Sequence, residues 1–155
     1  MVYTADVCDG NENARIADPI FKNFGGKKVF HGKIVTVKVF EDNSFVKSEL
    51  EKDGHGKVLV VDGGASLRCA LLGGNVAELA YNNGWEGVLI YGCIRDSHEV
   101  ATFDVGVKAI NISPKRSNKR NEGEINIPLH FAGVTFVPGH FLYADDDGVV
   151  VVENE

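Results

Sequence analysis

Apolar and polar residues in the middle of the chain follow a pattern that predicts a strand, a helix and a second strand. Residues 57–62 form a continuous apolar run that ends in an aspartate, which is typical of a strand buried on both faces. Residues 76–80 then show helical spacing before the Asn83-Gly84 stop, and residues 88–91 form a second buried strand that Gly92 ends. This order predicts a βαβ unit with parallel strands and a right-handed crossover.

The residues before this unit carry shorter patterns. Residues 3–23 predict one or two short helices, around residues 5–9 and 16–21, that the glycine pair at 25–26 closes. Residues 29–40 are rich in β-branched and aromatic side chains, which predicts a strand of about ten residues with a bulge or bend at Gly32. A short helix should follow from Ser44 to Gly54, capped by Asp42, Asn43 or Ser44.

The residues after the unit predict a β-rich end. We expect a short helix within residues 94–101, a third core strand at 105–112 and an irregular loop at 113–124. Four short apolar runs separated by turns then predict an antiparallel meander, at residues 125–129, 134–137, 141–144 and 149–152. The whole pattern predicts one mixed α/β domain over residues 1–155, with a mixed sheet around the central βαβ unit.

Composition and charge narrow the possible functions. The chain has 155 residues and a formal net charge of -6, which argues against a non-specific grip on nucleic acid or on an anionic membrane. Three widely spaced cysteines fit neither a disulfide framework nor a zinc pattern, so we expect reduced, buried thiols. The first residues show no secretory signal, and no apolar stretch is long enough to span a bilayer, so we expect a cytoplasmic protein.

Candidate chemistry lies after the two buried strands, because ligands of open α/β sheets bind beyond the carboxyl ends of parallel strands. Gly73, Gly74 and Asn75 begin a predicted helix, where backbone N–H groups suit a carboxylate or phosphate. Arg95 can bind an oxyanion in a forked geometry, and Asp96 can take a hard divalent cation through oxygen. One helical turn later, Glu99 is placed to reach water bound to that cation.

Other charged residues favour ordinary surface roles. His98 has no second His or Cys at a metal-ligand spacing, so it is interpreted as a solvated helix residue. A small basic island is interpreted as a solvated loop, with contact to RNA or to an acidic partner as the alternative. The island consists of Lys115, Arg116, Lys119 and Arg120. Asp62 and Arg68 would pair either behind the site or at the edge of the core, and the sequence leaves both interpretations open.

Seven short stretches, in this order along the chain, resemble the family of the regulator of ribonuclease E activity A. They are FGG at 24–26, VLVVDGG at 58–64, RCALLGG at 68–74, NGWEG at 83–87, YGCIRD at 91–96, FAGVTF at 131–136 and LYADDDG at 142–148. The family includes the class II 4-hydroxy-4-methyl-2-oxoglutarate aldolases, which also decarboxylate oxaloacetate. The ordered set covers nearly the whole chain and is more specific than any one motif.

The resemblance implies a fold, an assembly and a site. The fold would be a swivelling β/β/α domain similar to the phosphohistidine domain, assembled as a homotrimer or a dimer of trimers with sites at subunit boundaries. Substrate contacts would fall on Gly73, Gly74, Asn75, Val76 and Arg95. A divalent cation, expected to be Mg²⁺, would bind Asp96, and Arg95, Asp96 and Glu99 would carry catalysis.

The resemblance also implies a reaction and shows one departure from the family pattern. A 2-oxo diacid would lose a carbon-carbon bond, by retro-aldol cleavage or by loss of CO₂, through a stabilised pyruvate enolate. The family's best aldolases carry an acidic residue twenty-one positions before the arginine, and that position is Gly74 here. The loss of this carboxylate argues against efficient aldol cleavage.

Two alternatives from other classes stay open. The chain could instead be a protein inhibitor that binds ribonuclease E, or a trimeric scaffold without chemistry. A methyltransferase is not favoured, because the sequence has no nucleotide-binding glycine loop.

Overall fold

A computed structural model describes residues 1–155, which form four helices and twelve strands. The helices are α1 (Thr4–Gly10), α2 (Ser44–Leu50), α3 (Gly74–Asn82) and α4 (Ser97–Val100). The first six strands are β1 (Arg15–Ile16), β2 (Lys22–Asn23), β3 (Phe30–Lys38), β4 (Lys57–Asp62), β5 (Ala70–Leu72) and β6 (Gly87–Ile94). The last six are β7 (Gly106–Ile112), β8 (Glu124–Ile125), β9 (Leu129–Phe131), β10 (Val134–Phe136), β11 (Phe141–Asp145) and β12 (Gly148–Val152).

One ten-stranded mixed sheet runs through the molecule. Its main strand order is β1-β12-β11-β3-β4-β6-β7-β2, with β5 paired to β6 and β8 paired to β3. The central strands β3, β4, β6 and β7 are parallel, whereas β11 and β12 join antiparallel on one side. Strands β4 and β6 are adjacent and parallel with α3 between them in sequence, so the predicted βαβ unit and the mixed α/β fold class are confirmed.

The two faces of the sheet bury different partners, which gives three layers. Leu59 and Val61 point to the face that α2, α3 and α4 cover, and their cluster contains 18 buried residues. Val58 and Val60 point to the opposite face, which the β9–β10 hairpin covers, and their cluster contains 14. All four side chains are fully buried, as expected for an apolar strand covered on both faces. No helix combines the length and apolarity needed to cross a membrane.

Of the two short helices predicted within residues 3–23, one is confirmed and the other is wrong. Helix α1 forms, and the Thr4 backbone N–H and hydroxyl both donate to the Asp145 carboxylate at 2.7 Å. The second predicted helix, at residues 16–21, is wrong because the backbone of this segment bonds to neighbouring strands. The Ala17 N–H donates to the Val149 carbonyl, and Pro19 has no N–H and disfavours helix in the residue before it.

Two further strand boundaries differ from the predictions. Gly92 does not end β6, because an irregular register between Ile90 and Cys93 accommodates it and the strand continues to Ile94. Gly32 makes no bulge in β3; it lies against the Gly56 carbonyl, where a Cβ would come within 2.8 Å. Helix α2 ends at Leu50, before the predicted glycine stop.

The predicted antiparallel meander is wrong in its connections. Residues 125–129 do not form one strand, because Asn126 adopts a positive φ of 59° and Pro128 follows it. The segment therefore splits into β8, which pairs with β3, and β9, which pairs only with β10 outside the main sheet. Strands β11 and β12 do form the expected hairpin.

Candidate active site

Two parallel strands place the predicted site residues side by side. Strand β5 pairs with β6, and both end at the same edge of the sheet. The Arg95 backbone N–H donates to the Leu72 carbonyl at 2.9 Å, which brings the glycine pair after β5 next to the Arg95-Asp96 dipeptide after β6. Strand β5 was not predicted, because three residues are too few to show a period.

Asp96 is fixed against the start of α3. Its backbone is left-handed, with a φ of 55°, and it directly precedes α4. One carboxylate oxygen, Oδ2, accepts the Gly74 N–H at 3.0 Å, and a Cβ on Gly73 would come within 2.8 Å of the same oxygen. Glycine at these positions lets the carboxylate approach the helix amino terminus, where the exposed N–H groups favour negative charge.

Glu99 reaches the same glycine pair from α4. A Cβ built on Gly74 would overlap the Glu99 carboxylate. Because glycine has no Cβ, the Glu99 carboxylate can occupy this space. A carboxylate therefore stands beside position 74 although residue 74 is glycine. The side chains of Asp96 and Glu99, three residues apart in sequence, both approach Gly74 at the start of α3.

A cavity of about 450 Å³ opens beside this arrangement. Six predicted substrate-binding or metal-binding residues line it, namely Gly73, Gly74, Asn75, Val76, Arg95 and Asp96. Glu99 does not line the cavity and lies behind Gly74 instead. The half-buried Arg95 points across the cavity edge, where its Nη1 lies 3.5 Å from the Pro114 carbonyl oxygen.

The cavity also has a basic wall that the sequence interpretation missed. Lys47 of α2 and two residues of the loop at 113–124, Arg116 and Lys119, line it together with Asn43, Ser117 and Asn118. All four members of the basic island are exposed, as expected, and two of them also face the site. The signal was available, because this loop follows β7, the third parallel strand, and the strand-end rule applies there as well.

A buried aspartate holds this loop in place. Oδ2 of Asp42 accepts the backbone N–H groups of Arg120 at 2.8 Å and Glu122 at 3.1 Å. Its other oxygen accepts both the N–H and the hydroxyl of Ser44. Burial alone would raise the pKa of Asp42, but the hydrogen bonds that it accepts outweigh burial and lower the pKa to about 2. Of the three predicted caps of α2, Asn43 occupies the cap position without a side-chain bond, and the Asp42 side chain accepts the Ser44 N–H.

The suggested pair of Asp62 with Arg68 does not form. The Arg68 Nε donates to Glu41 at 2.6 Å, and Asp62 accepts the N–H of Gly64 at 2.9 Å. The tight turn after β4 directs the Asp62 carboxylate to its own backbone, a local bond that the strand pattern does not reveal. The three cysteines are free: Cys69 and Cys93 are buried as expected, and Cys8 is half-buried.

The donor set suits magnesium better than zinc. Asp96 has one oxygen engaged by Gly74 and makes no hydrogen bond to the protein through the other. No group of three or more His, Cys, Asp or Glu side chains is placed to hold a metal ion. Magnesium is commonly bound through one or two carboxylates, with water and substrate oxygens completing its shell, whereas zinc sites need three or four protein ligands. Asp96 fits the first pattern.

Known proteins are similar to this chain over nearly its whole length. A family model described as "RraA-like: Aldolase/RraA" matches residues 4–151. A relative from Alkalilimnicola ehrlichii, named "Putative 4-hydroxy-4-methyl-2-oxoglutarate aldolase", is 53% identical over 99% of this chain and 96% of its own.

Two solved structures superpose closely on the chain. The RNA-processing inhibitor RraA from Thermus thermophilus has a TM-score of 0.97 and 43% identity, over 99% of this chain and 94% of its own. A Geobacillus kaustophilus structure described as S-adenosylmethionine: 2-dimethylmenaquinone methyltransferase has a TM-score of 0.97 and 45% identity, over 99% of this chain and 96% of its own.

Proposed function

This chain belongs to the RraA-like family, and from that premise we propose that it is a divalent-metal-dependent carbon-carbon lyase. Its substrates would be 4-hydroxy-4-methyl-2-oxoglutarate, cleaved to two molecules of pyruvate, and oxaloacetate, decarboxylated to pyruvate. The observation that carries the proposal is the cavity itself. Arg95 and Asp96 line it next to the start of α3, in a chain whose formal net charge is -6.

The residues around the cavity have distinct tasks in such a reaction. The N–H groups at Asn75 and Val76, in the first turn of α3, would bind the C1 carboxylate of the substrate, whereas the Gly74 N–H already bonds Asp96. Arg95 would donate to the oxygen on which negative charge develops, where a fixed cation lowers the barrier. Asp96 would hold the cation, which when bound supplies Lewis-acid stabilisation to the 2-oxo group.

The bond changes balance without an oxidant or a reductant. In aldol cleavage the 4-hydroxyl loses its proton, the C3–C4 bond breaks, and its electron pair becomes the enolate of pyruvate. In decarboxylation the C3–C4 bond breaks with release of CO₂ and leaves the same enolate. A proton then adds to C3 in both cases. We propose that Glu99, which lies behind Gly74 and not on the cavity wall, orients the water that carries this proton.

The position of Glu99 also matters for the carboxylate that the family's best aldolases carry where this chain has Gly74. The sequence pattern alone argued that Gly74 would weaken aldol cleavage. Because Glu99 fills the space beside Gly74, we propose that it supplies the carboxylate that the best aldolases carry at the helix start. On this proposal the chain would retain aldol cleavage.

A coupled assay for pyruvate tests the proposal. Wild-type protein should release pyruvate from both substrates with Mg²⁺ and lose this activity in EDTA. Arg95→Lys keeps the charge but not the forked donor geometry, so we expect kcat/KM to fall by about 100-fold. Asp104→Asn, an exposed change away from the cavity, is the control and should keep the wild-type rate. Turnover that survives EDTA, or an Arg95→Lys variant with wild-type kcat/KM, would contradict the proposal.

A second candidate function rests on the Thermus structure, which is described as an RNA-processing inhibitor. We propose as the alternative that this chain binds ribonuclease E and slows RNA decay by that contact. A pull-down with ribonuclease E, together with an RNA-cleavage assay, tests it. Inhibition that persists in Arg95→Lys would favour the inhibitor role, and absence of binding at micromolar concentration would remove it.

A further inference from the structure

We infer that Arg116 and Lys119 form a subsite for the second carboxylate of a 2-oxo diacid. The inference rests on the proposed function, since it places the 2-oxo end of the substrate at Arg95 and Asp96. It adds residues that the lyase chemistry does not require. They would decide which 2-oxo acids the site accepts.

The charges that line the cavity are strongly unbalanced. Its four cationic residues are Lys47, Arg95, Arg116 and Lys119, whereas Asp96 is its one acidic residue. Neither Arg116 nor Lys119 takes part in any of the five ion pairs of the structure. Asp96 and a bound cation would serve the 2-oxo end, so the basic wall still lacks an anionic partner. A second carboxylate on the substrate would supply it.

Hydrogen bonds hold the loop that carries the two cations before, between and after these residues. Before Arg116, the Lys115 carbonyl accepts the Ala70 N–H at 2.8 Å. Between the two cations, the Asn118 N–H donates to the Glu41 carbonyl at 2.9 Å, and the buried Ser117 hydroxyl bonds Asn43. After Lys119, the Arg120 N–H bonds Asp42. These bonds fix the backbone that carries the two exposed side chains, so the loop itself need not be ordered on binding.

The geometry favours a substrate with charge at both ends. The helix start, Arg95 and Asp96 line the cavity, and a separate loop contributes the basic wall. A 2-oxo monoacid would leave the basic wall without a partner, whereas a diacid would bridge the two regions. Each charge-assisted hydrogen bond to a carboxylate contributes enough to change affinity by about tenfold or more.

The test compares two unreactive ligands of equal chain length. 2-Oxoglutarate has a terminal carboxylate, and 2-oxopentanoate has a methyl group in its place. Isothermal titration calorimetry with Mg²⁺ present gives the ratio of their dissociation constants. We expect wild-type protein to prefer 2-oxoglutarate, and Arg116→Met and Lys119→Met each to reduce that preference by about tenfold.

Lys115→Met is the matched control. Lys115 has the same charge and lies on the same loop, but it does not line the cavity, so its variant should keep the wild-type preference. Circular dichroism melts check that all variants are folded. Equal affinity of wild-type protein for the two ligands, or an unchanged preference in both cavity variants, would overturn the subsite. Failure of the lyase proposal would show separately, as absence of pyruvate release by wild-type protein.

Discussion

At the scale of single residues, the site depends on a glycine pair that two carboxylates approach. Asp96 accepts the Gly74 N–H, and the Glu99 carboxylate occupies the space that a side chain on Gly74 would need. The strand-end rule predicted that Asp96 would lie near the helix start, and the structure shows it there. The contact between Glu99 and Gly74 was not predicted, because it depends on where α4 packs, which no local pattern encodes.

This contact predicts that substitutions at positions 74 and 99 are not additive. Gly74→Ala would push the Glu99 carboxylate away, with a small change in melting temperature because Glu99 is exposed and can move outward. Gly74→Ala and Glu99→Ala should each lower kcat/KM for pyruvate release by about tenfold. The double variant should be no slower than Glu99→Ala alone, since the carboxylate that the new methyl group would displace is already absent.

A double-mutant cycle measures this coupling. Asn75→Ala combined with Glu99→Ala serves as the control pair, because Asn75 is exposed beside the same helix start and its side chain makes no hydrogen bond to Glu99. If the two tenfold losses of kcat/KM multiplied to about 100-fold in the Gly74→Ala/Glu99→Ala protein, the two positions would act independently, which would contradict the prediction.

At the scale of elements, the loop at 113–124 differs most from its sequence-based interpretation. Its basic residues indicated a solvated loop, yet two of them line the cavity. The bonds that order the loop join residues far apart in sequence, such as Asp42 with Arg120 and Glu122. A pattern within the loop cannot reveal partners about eighty residues away, whereas local periodicity is enough to predict helix α3 and strand β4.

The Asp42 anchor predicts a pH-dependent loss of stability. Its pKa is about 2 in the folded protein, below the usual 3.8, so the folded state binds fewer protons than the unfolded state. The stabilisation is therefore present above about pH 4 and is lost as pH falls toward 2. From the size of this shift we expect Asp42→Asn to lower the free energy of unfolding by about 2 kcal/mol at pH 7.

Urea denaturation at several pH values checks this prediction. The difference between wild-type protein and Asp42→Asn should shrink steadily between pH 4 and pH 2. Asp104→Asn, an exposed aspartate without a comparable set of hydrogen bonds, should show almost no difference at any of these values. A difference for Asp42→Asn that stays constant across the range would mean that its ionised carboxylate does not stabilise the loop.

At the scale of the whole molecule, the charge that lines the cavity is opposite in sign to the net charge of the chain. The chain carries a formal net charge of -6, yet its site cavity holds four cationic side chains and one carboxylate. Such local focusing can attract a small anion to an acidic protein. The parallel centre of the sheet was predictable from apolar runs, and it determines where the cavity lies. The edge strands β1, β2 and β8 were not, because two-residue strands form only by pairing with distant segments.

The most direct test of metal-dependent lyase chemistry at this site is the rate of pyruvate release from 4-hydroxy-4-methyl-2-oxoglutarate as a function of Mg²⁺ concentration. Wild-type protein and Asp96→Asn are compared after metal removal, with circular dichroism melts as the check on folding. We expect the wild-type rate to rise from zero to saturation, and Asp96→Asn to need at least tenfold more Mg²⁺ with a lower maximum. Wild-type release that does not depend on Mg²⁺, or identical Mg²⁺ curves for the two proteins, would contradict the assignment of this site.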